Sequence, residues 1–125
     1  MRIGVIGSRT VDESVVHTFL LEVWNPAAEG VSTNCTTFLA GGALGVDTAV
    51  RDYARGAGLD FVMFKPYHLL DRTEGFNAKF FYTRNRQILD NSDEVLIFWD
   101  GEEDEVQAAI NYCDRKGKEY HVEVV

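Results

Sequence analysis

Two glycine-bearing turns in this chain combine bare backbone amides with side chains that suit anion chemistry. The first is Gly7-Ser8-Arg9, directly after a strand-like run over 2–6. A glycine lets the backbone turn sharply and lets a ligand come close. Ser8 adds a hydroxyl, and Arg9 adds a planar fork of donors that matches phosphate. A helix signal follows at once, and a helix start presents unpaired N–H groups and the positive end of a dipole. The same three residues also suit a tight turn with a solvated arginine. The second turn is "AGGALGVDTA", with Gly41, Gly42 and Gly45 between a strand and a helix. Successive N–H groups without side chains can form an anion-binding nest. Asp47, at the helix start, either meets a ligand or complements the helix dipole. No Gly-Lys-Ser/Thr ends the turn, so it is not a Walker A loop.

Two further stretches hold polar groups where packing predicts otherwise. In "FFYTRNRQIL", Phe81 and Ile88 share a helical face, and Arg84 and Asn85 occupy that face between them. Polar residues on an apolar stripe either find a buried partner or line a cleft, and the cleft is the favoured reading. Arg86 points elsewhere, toward solvent. In "FWDGEEDEVQ", Trp99, Asp100 and Gly101 sit at the end of a strand. The acidic run Glu102 to Glu105 suits the first turn of the helix that follows. Asp47, Asp100 and Glu105 are the candidate carboxylates for acid–base work. His17, His68 and His121 are scattered without metal spacing, and Cys35 and Cys113 form no CxxC, so neither a metal nor a cofactor is expected. Ser8 has no neighbouring histidine to activate it, which leaves a Ser/His hydrolase without support.

These groups need elements to position them. Apolar segments alternate with helical patterns, which predicts βα units and a parallel sheet. Strands are expected at Arg2–Ile6, Thr37–Ala40, Phe61–Phe64, Glu94–Trp99 and Tyr120–Val125. A first helix opens at Thr10, with Glu13 completing a capping box. Its buried stripe is Val15, Val16, Phe19, Leu20 and Val23. A second helix runs from about Val46, burying Val46, Ala49, Val50, Tyr53 and Ala57, and is stopped by Gly56 and Gly58. A third covers about Ala78 to Leu89. The fourth covers about Glu103 to Lys116 and is stopped by Gly117. Residues 25–36 and 67–77 read as irregular, and the aromatics Tyr67, Phe76 and Phe80 either cover the site or join the core. Right-handed crossovers favour the strand order 3-2-1-4-5. In such sheets a ligand binds beyond the carboxyl ends of the strands, where the order reverses.

The 125 residues suit one α/β domain over 1–125. With 46% hydrophobic and 26% charged residues the composition is that of a soluble globular protein. No apolar run approaches the ~20 residues of a membrane helix, and no signal peptide is evident. A reducing cytoplasm is the expected location. The net charge of -8 argues against nucleic acid as a partner, since affinity for a phosphate backbone rests on Lys and Arg. It leaves room for a small anion held by a few local groups. The missing third glycine of GxGxxG, and the lack of an acidic residue at the end of the second strand, argue against a dinucleotide dehydrogenase.

Taken in order, "IGVIGSRT", "LAGGALGVDTA", "TRNRQIL" and "DEVLIFWDG" resemble the small stand-alone, YspA-type members of the SLOG superfamily. That superfamily includes the Lonely Guy phosphoribohydrolases and the Rossmann domain of DNA-processing protein A. The resemblance covers nearly the whole chain and implies a Rossmann-like domain that binds a nucleotide or nucleotide-derived ligand. It implies phosphate or ribose contacts at Gly7, Ser8 and Arg9 and at Gly41, Gly42, Gly45 and Asp47, with Arg84 and Asn85 at the site. The strand-four tip, Asp100-Gly101, belongs to the same crevice. Lonely Guy proteins are dimers, which suggests a homodimer or larger assembly. The chain departs from the pattern after the fourth strand, where "DGEEDEVQAAI" has no Gly-Thr, and it lacks the Gly-Gly-x-Gly-Thr-x-x-Glu run of the hydrolases. The leading expectation is a sensor or carrier of a nucleotide-like ligand. The alternative is an N-glycosidase that releases a base from a nucleoside phosphate.

Overall fold

The computed structural model describes residues 2–8, 10–22, 37–41, 44–64 and 78–125, and for residues 44, 47 and 78–82 the backbone alone. Five strands, β1 (Arg2–Gly7), β2 (Thr37–Ala40), β3 (Asp60–Met63), β4 (Glu94–Trp99) and β5 (Glu119–Val124), alternate with four helices. These are α1 (Glu13–Glu22), α2 (Leu44–Ala57), α3 (Ala78–Asp90) and α4 (Asp104–Lys116). The strands form one parallel sheet in the order β3-β2-β1-β4-β5, as the alternation predicts. It is a Rossmann-like, doubly wound sheet.

β1 lies at the centre, paired with β2 and β4, and is buried from Ile3 to Gly7. A strand buried on both faces must be apolar throughout, which is why its sequence does not alternate. Its side chains nevertheless divide by period two. Ile3 and Val5 join Val16, Phe19 and Leu20 of α1 and Val46, Val50 and Tyr53 of α2. Ile6 joins Ile88 and Leu89 of α3 and Val106, Ala109, Ile110 and Cys113 of α4. Each fully buried aliphatic or aromatic side chain contributes about 1.5–3 kcal/mol relative to its exposed state. The two clusters clamp the sheet from both sides and fix where its carboxyl edge opens.

The local readings fail in three places, each for a physical reason. Thr10 does not cap α1. The Asp12 carboxylate does so, accepting the backbone N–H of Ser14 at 2.8 Å and its hydroxyl at 2.7 Å. These bonds hold the Asp12 carboxyl below its usual range. Val15 is 41% exposed, because the stripe that meets the sheet is the narrower set Val16, Phe19 and Leu20. Gly56 lies inside α2. The stop is Gly58 alone, in the left-handed region at φ 70°, with Leu59 N–H returning to the Ala54 carbonyl at 2.8 Å. Gly117 ends α4 in the same conformation, at φ 65°, as expected. Val23, Cys35, the loop over 25–36, Lys65-Pro66, the stretch 67–77 with Tyr67, His68 and Phe76, and the Phe80 side chain lie outside the described residues.

Candidate ligand site at the carboxyl edge of the sheet

The tips of β1 and β4 are tied together by hydrogen bonds. Ser8, 1% exposed, donates its backbone N–H to the Phe98 carbonyl at 2.9 Å, which carries the β1–β4 pairing one residue past the strand. Its hydroxyl oxygen accepts the N–H of Asp100 at 3.0 Å. The Asp100 carboxylate accepts the N–H groups of Glu102 and Glu103, each at 2.9 Å, and the Thr10 hydroxyl at 2.8 Å. The two N–H bonds, then Thr10, hold this carboxyl at about 2, well below its ordinary 3.8. Asp100 therefore stays ionised at neutral pH and has little affinity for a proton there, which suits a structural anion and not an acid–base catalyst. Gly101 follows at φ 85°, exposed. Thr10 is the residue that sequence reasoning misassigned. Its partner lies 90 positions away, and the only signal was a hydroxyl close behind the β1 tip.

The glycines act through close approach. Gly7, Gly41 and Gly45 have no positive φ, so none of them is required for an unusual turn. A Cβ on Gly7 would overlap the Val46 side chain of α2 and sit 3.3 Å from the Phe98 carbonyl oxygen. One on Gly45 would overlap the Val11 carbonyl oxygen and lie 3.2 Å from the Glu13 nitrogen, so the first turn of α2 presses on the start of α1. One on Gly41 would overlap the Phe64 carbonyl oxygen and fall 2.9 Å from Cδ of Arg84. Arg9, Gly42 and the Asp47 side chain lie outside the described residues.

That last contact brings α3 to the β2 tip. Arg84 and Asn85 are 5% and 3% exposed. The Nε and Nη2 groups of Arg84 donate to Oδ1 of the Asn85 side chain at 3.2 and 2.8 Å. Glu105, also buried, lies in the first turn of α4 and lines the cleft between α3 and α4 together with Asn85. The polar interruption of the α3 stripe is thus a buried cluster beside the β2 tip. Arg86 is exposed, its guanidinium 5.5 Å from the centre of the Tyr112 ring. Trp99 is half-buried and donates its indole N–H to the Glu103 carbonyl at 3.2 Å, which locks it to the start of α4.

Other groups stand apart from this edge. His121 is on β5 and stacks on Phe19 with ring centres 5.7 Å apart. Both line an open groove of about 430 Å³ with Glu94 and Glu119, at the amino ends of β4 and β5. Among the described residues no group of three His, Cys, Asp or Glu side chains could hold a metal ion, and no helix is long and apolar enough to cross a membrane. Cys113 is buried, and desolvation pushes its thiol up to about 11. The chain matches no protein-family model and no curated protein.

Proposed function

We propose that this protein is a binding module, a sensor or carrier, for a nucleotide or nucleotide-derived ligand whose phosphate is held by the loops after β1 and β2. The reading adopts the SLOG-like motif order of the sequence. The observation that carries it is the meeting of Gly41 and the buried Arg84 at the carboxyl edge of the sheet, beside the point where the strand order reverses. That is where doubly wound sheets take their ligands. The start of α2 flanks the same edge, so a phosphate there would meet the N-terminal amides and dipole of that helix together with a guanidinium. The N-glycosidase alternative needs a carboxyl group that exchanges a proton near neutrality, and Asp100 does not supply one.

Native mass spectrometry of the protein from cell extract, followed by calorimetry with a panel of adenine nucleotides, tests the proposal. Binding is expected for at least one nucleotide. Arg84→Ala should weaken it about tenfold or more, since a hydrogen bond to a charged group is worth ~1.5–3 kcal/mol and 1.4 kcal/mol is a factor of ten. Arg9→Ala should act in the same direction. A protein that carries no nucleotide-like ligand and binds none of the panel overturns the reading. So does a ligand bound equally well by both folded variants.

A further inference from the structure

We infer that the free edge of β5 is a self-association surface, where a second copy of this chain adds its own β5 in antiparallel register centred on Val122. The inference is independent of the ligand at the other end of the sheet. Among the described residues β5 pairs with β4 alone. The Val125 N–H donates to the Trp99 carbonyl at 2.9 Å. By the alternation of a parallel ladder, the backbone groups of Glu119, His121 and Glu123 turn toward β4, and those of Tyr120, Val122 and Val124 turn outward. Three residues therefore present N–H and C=O groups to whatever pairs next. The edge carries no proline, and no lysine falls within it to block pairing.

The side chains select the partner. In a two-fold pairing centred on Val122, Tyr120 faces Val124 of the second copy, and Val122 faces its own equivalent. Tyr120 and Val124 are 37% and 67% exposed in one chain, and this arrangement joins them in one apolar row. On the opposite face His121 Nε2 already lies 3.0 Å from Glu123 Oε2 within one chain, and the two-fold also brings each His121 beside Glu123 of the second copy, twice by symmetry. A histidine donor against a carboxylate is a complementary cross-strand pair. Centring on His121 instead would oppose Glu119 with Glu123, a like-charge pair that the sequence disfavours. The outward groups supply about six hydrogen bonds in the favoured register. The helix layer also permits it. α4 lies on the face of the sheet that carries the Val122 side chain: Ile110 and Cys113 share one cluster with Val95 and Ile97 of β4, and Val122 packs against that cluster. Two such helices related by this axis stand about two strand spacings apart, ~10 Å, an ordinary helix–helix distance.

Sedimentation velocity from micromolar to millimolar protein, with hydrogen exchange at both ends of that range, tests the inference. The mass should rise from 14.1 kDa toward twice that value. The amides of Tyr120, Val122 and Val124 should gain protection on association, and those of His121 and Glu123, already turned toward β4, should not. The variants His121→Glu and Glu123→Lys should each associate more weakly alone, because the first sets two carboxylates against each other across the axis and the second removes the carboxylate that faces His121. Mixed, they should recover the dimer, since Glu at 121 then faces Lys at 123; this recovery depends on contact between chains, not on stability within one. A constant monomer mass overturns the inference, as does a dimer whose Tyr120, Val122 and Val124 amides exchange as in the monomer. Failure of the mixed variants to recover overturns the register. Protection that appears only when another protein is added, with the pure chain monomeric, assigns the edge to a foreign strand and also overturns self-pairing.

Discussion

Gly41→Ala and Gly56→Ala make the same chemical change and should move stability in opposite directions. At Gly41 the new methyl would overlap the Phe64 carbonyl oxygen, a backbone atom, and sit 2.9 Å from Cδ of the buried Arg84. Phe64 cannot simply step aside, because its N–H donates to the Ala40 carbonyl at 2.7 Å and so holds the end of β3 to β2. Overpacking of this kind typically costs ~1–3 kcal/mol. At Gly56 a Cβ meets nothing within 4 Å, and the residue lies inside α2. Alanine there should stabilise by ~0.5–1 kcal/mol through helix propensity, toward the lower figure because the helix ends one residue later. The two variants should thus differ by roughly 1.5–4 kcal/mol. Urea unfolding followed by tryptophan fluorescence measures this, and a slope near ~2 kcal/mol per molar converts it to midpoints about 1–2 M apart. Equal slopes are required for that conversion. A Gly41→Ala midpoint at or above the parent's would refute the reading that Gly41 is dictated by close approach.

Three further outcomes are expected. The Asp100 carboxyl is depressed to about 2 in the folded protein from 3.8. Its contribution to stability is therefore complete above 3.8 and lost as pH falls toward 2, so acid unfolding of Asp100→Asn should depend less steeply on pH in that window. Gly117→Ala forces a methyl-bearing residue to φ 65° and should lower stability by about 1 kcal/mol, read as a drop of roughly 3–5 °C in Tm. Cys113, buried with its thiol raised to about 11, should resist a thiol reagent at pH 8 in the native protein and react on unfolding; peptide mapping that finds it labelled at the rate of a free thiol would contradict its burial.

The parts of this molecule that were legible in the sequence are those written in local periodicity. The alternation of apolar runs and helical stripes implied a parallel sheet, and the preference for right-handed crossovers narrowed the topology to the order found. Gly117 announced the end of α4 because the left-handed cap is a property of one residue and its own turn. The polar pair Arg84-Asn85 stood out because it broke a stripe, and both residues are buried.

Tertiary structure decided the features that depend on which distant atoms meet. Thr10 and Asp12 compete to cap α1, and Asp12 prevails while the Thr10 hydroxyl donates to Asp100, a partner that no window around residue 10 contains. Gly7, Gly41 and Gly45 announced themselves as turn residues by type, but what they supply is the absence of a Cβ against Val46, Phe64 and Val11. Asp100 looked like one carboxylate among several until its three donors fixed it as an ionised tie between strand tips. Val15 reads as core by helical spacing, yet the width of the face that reaches the sheet leaves it outside. The physical reason is common to all of these cases. Periodicity is a property of the chain along its own axis, so the sequence carries it directly, whereas a contact across ninety residues exists only once two strands lie side by side.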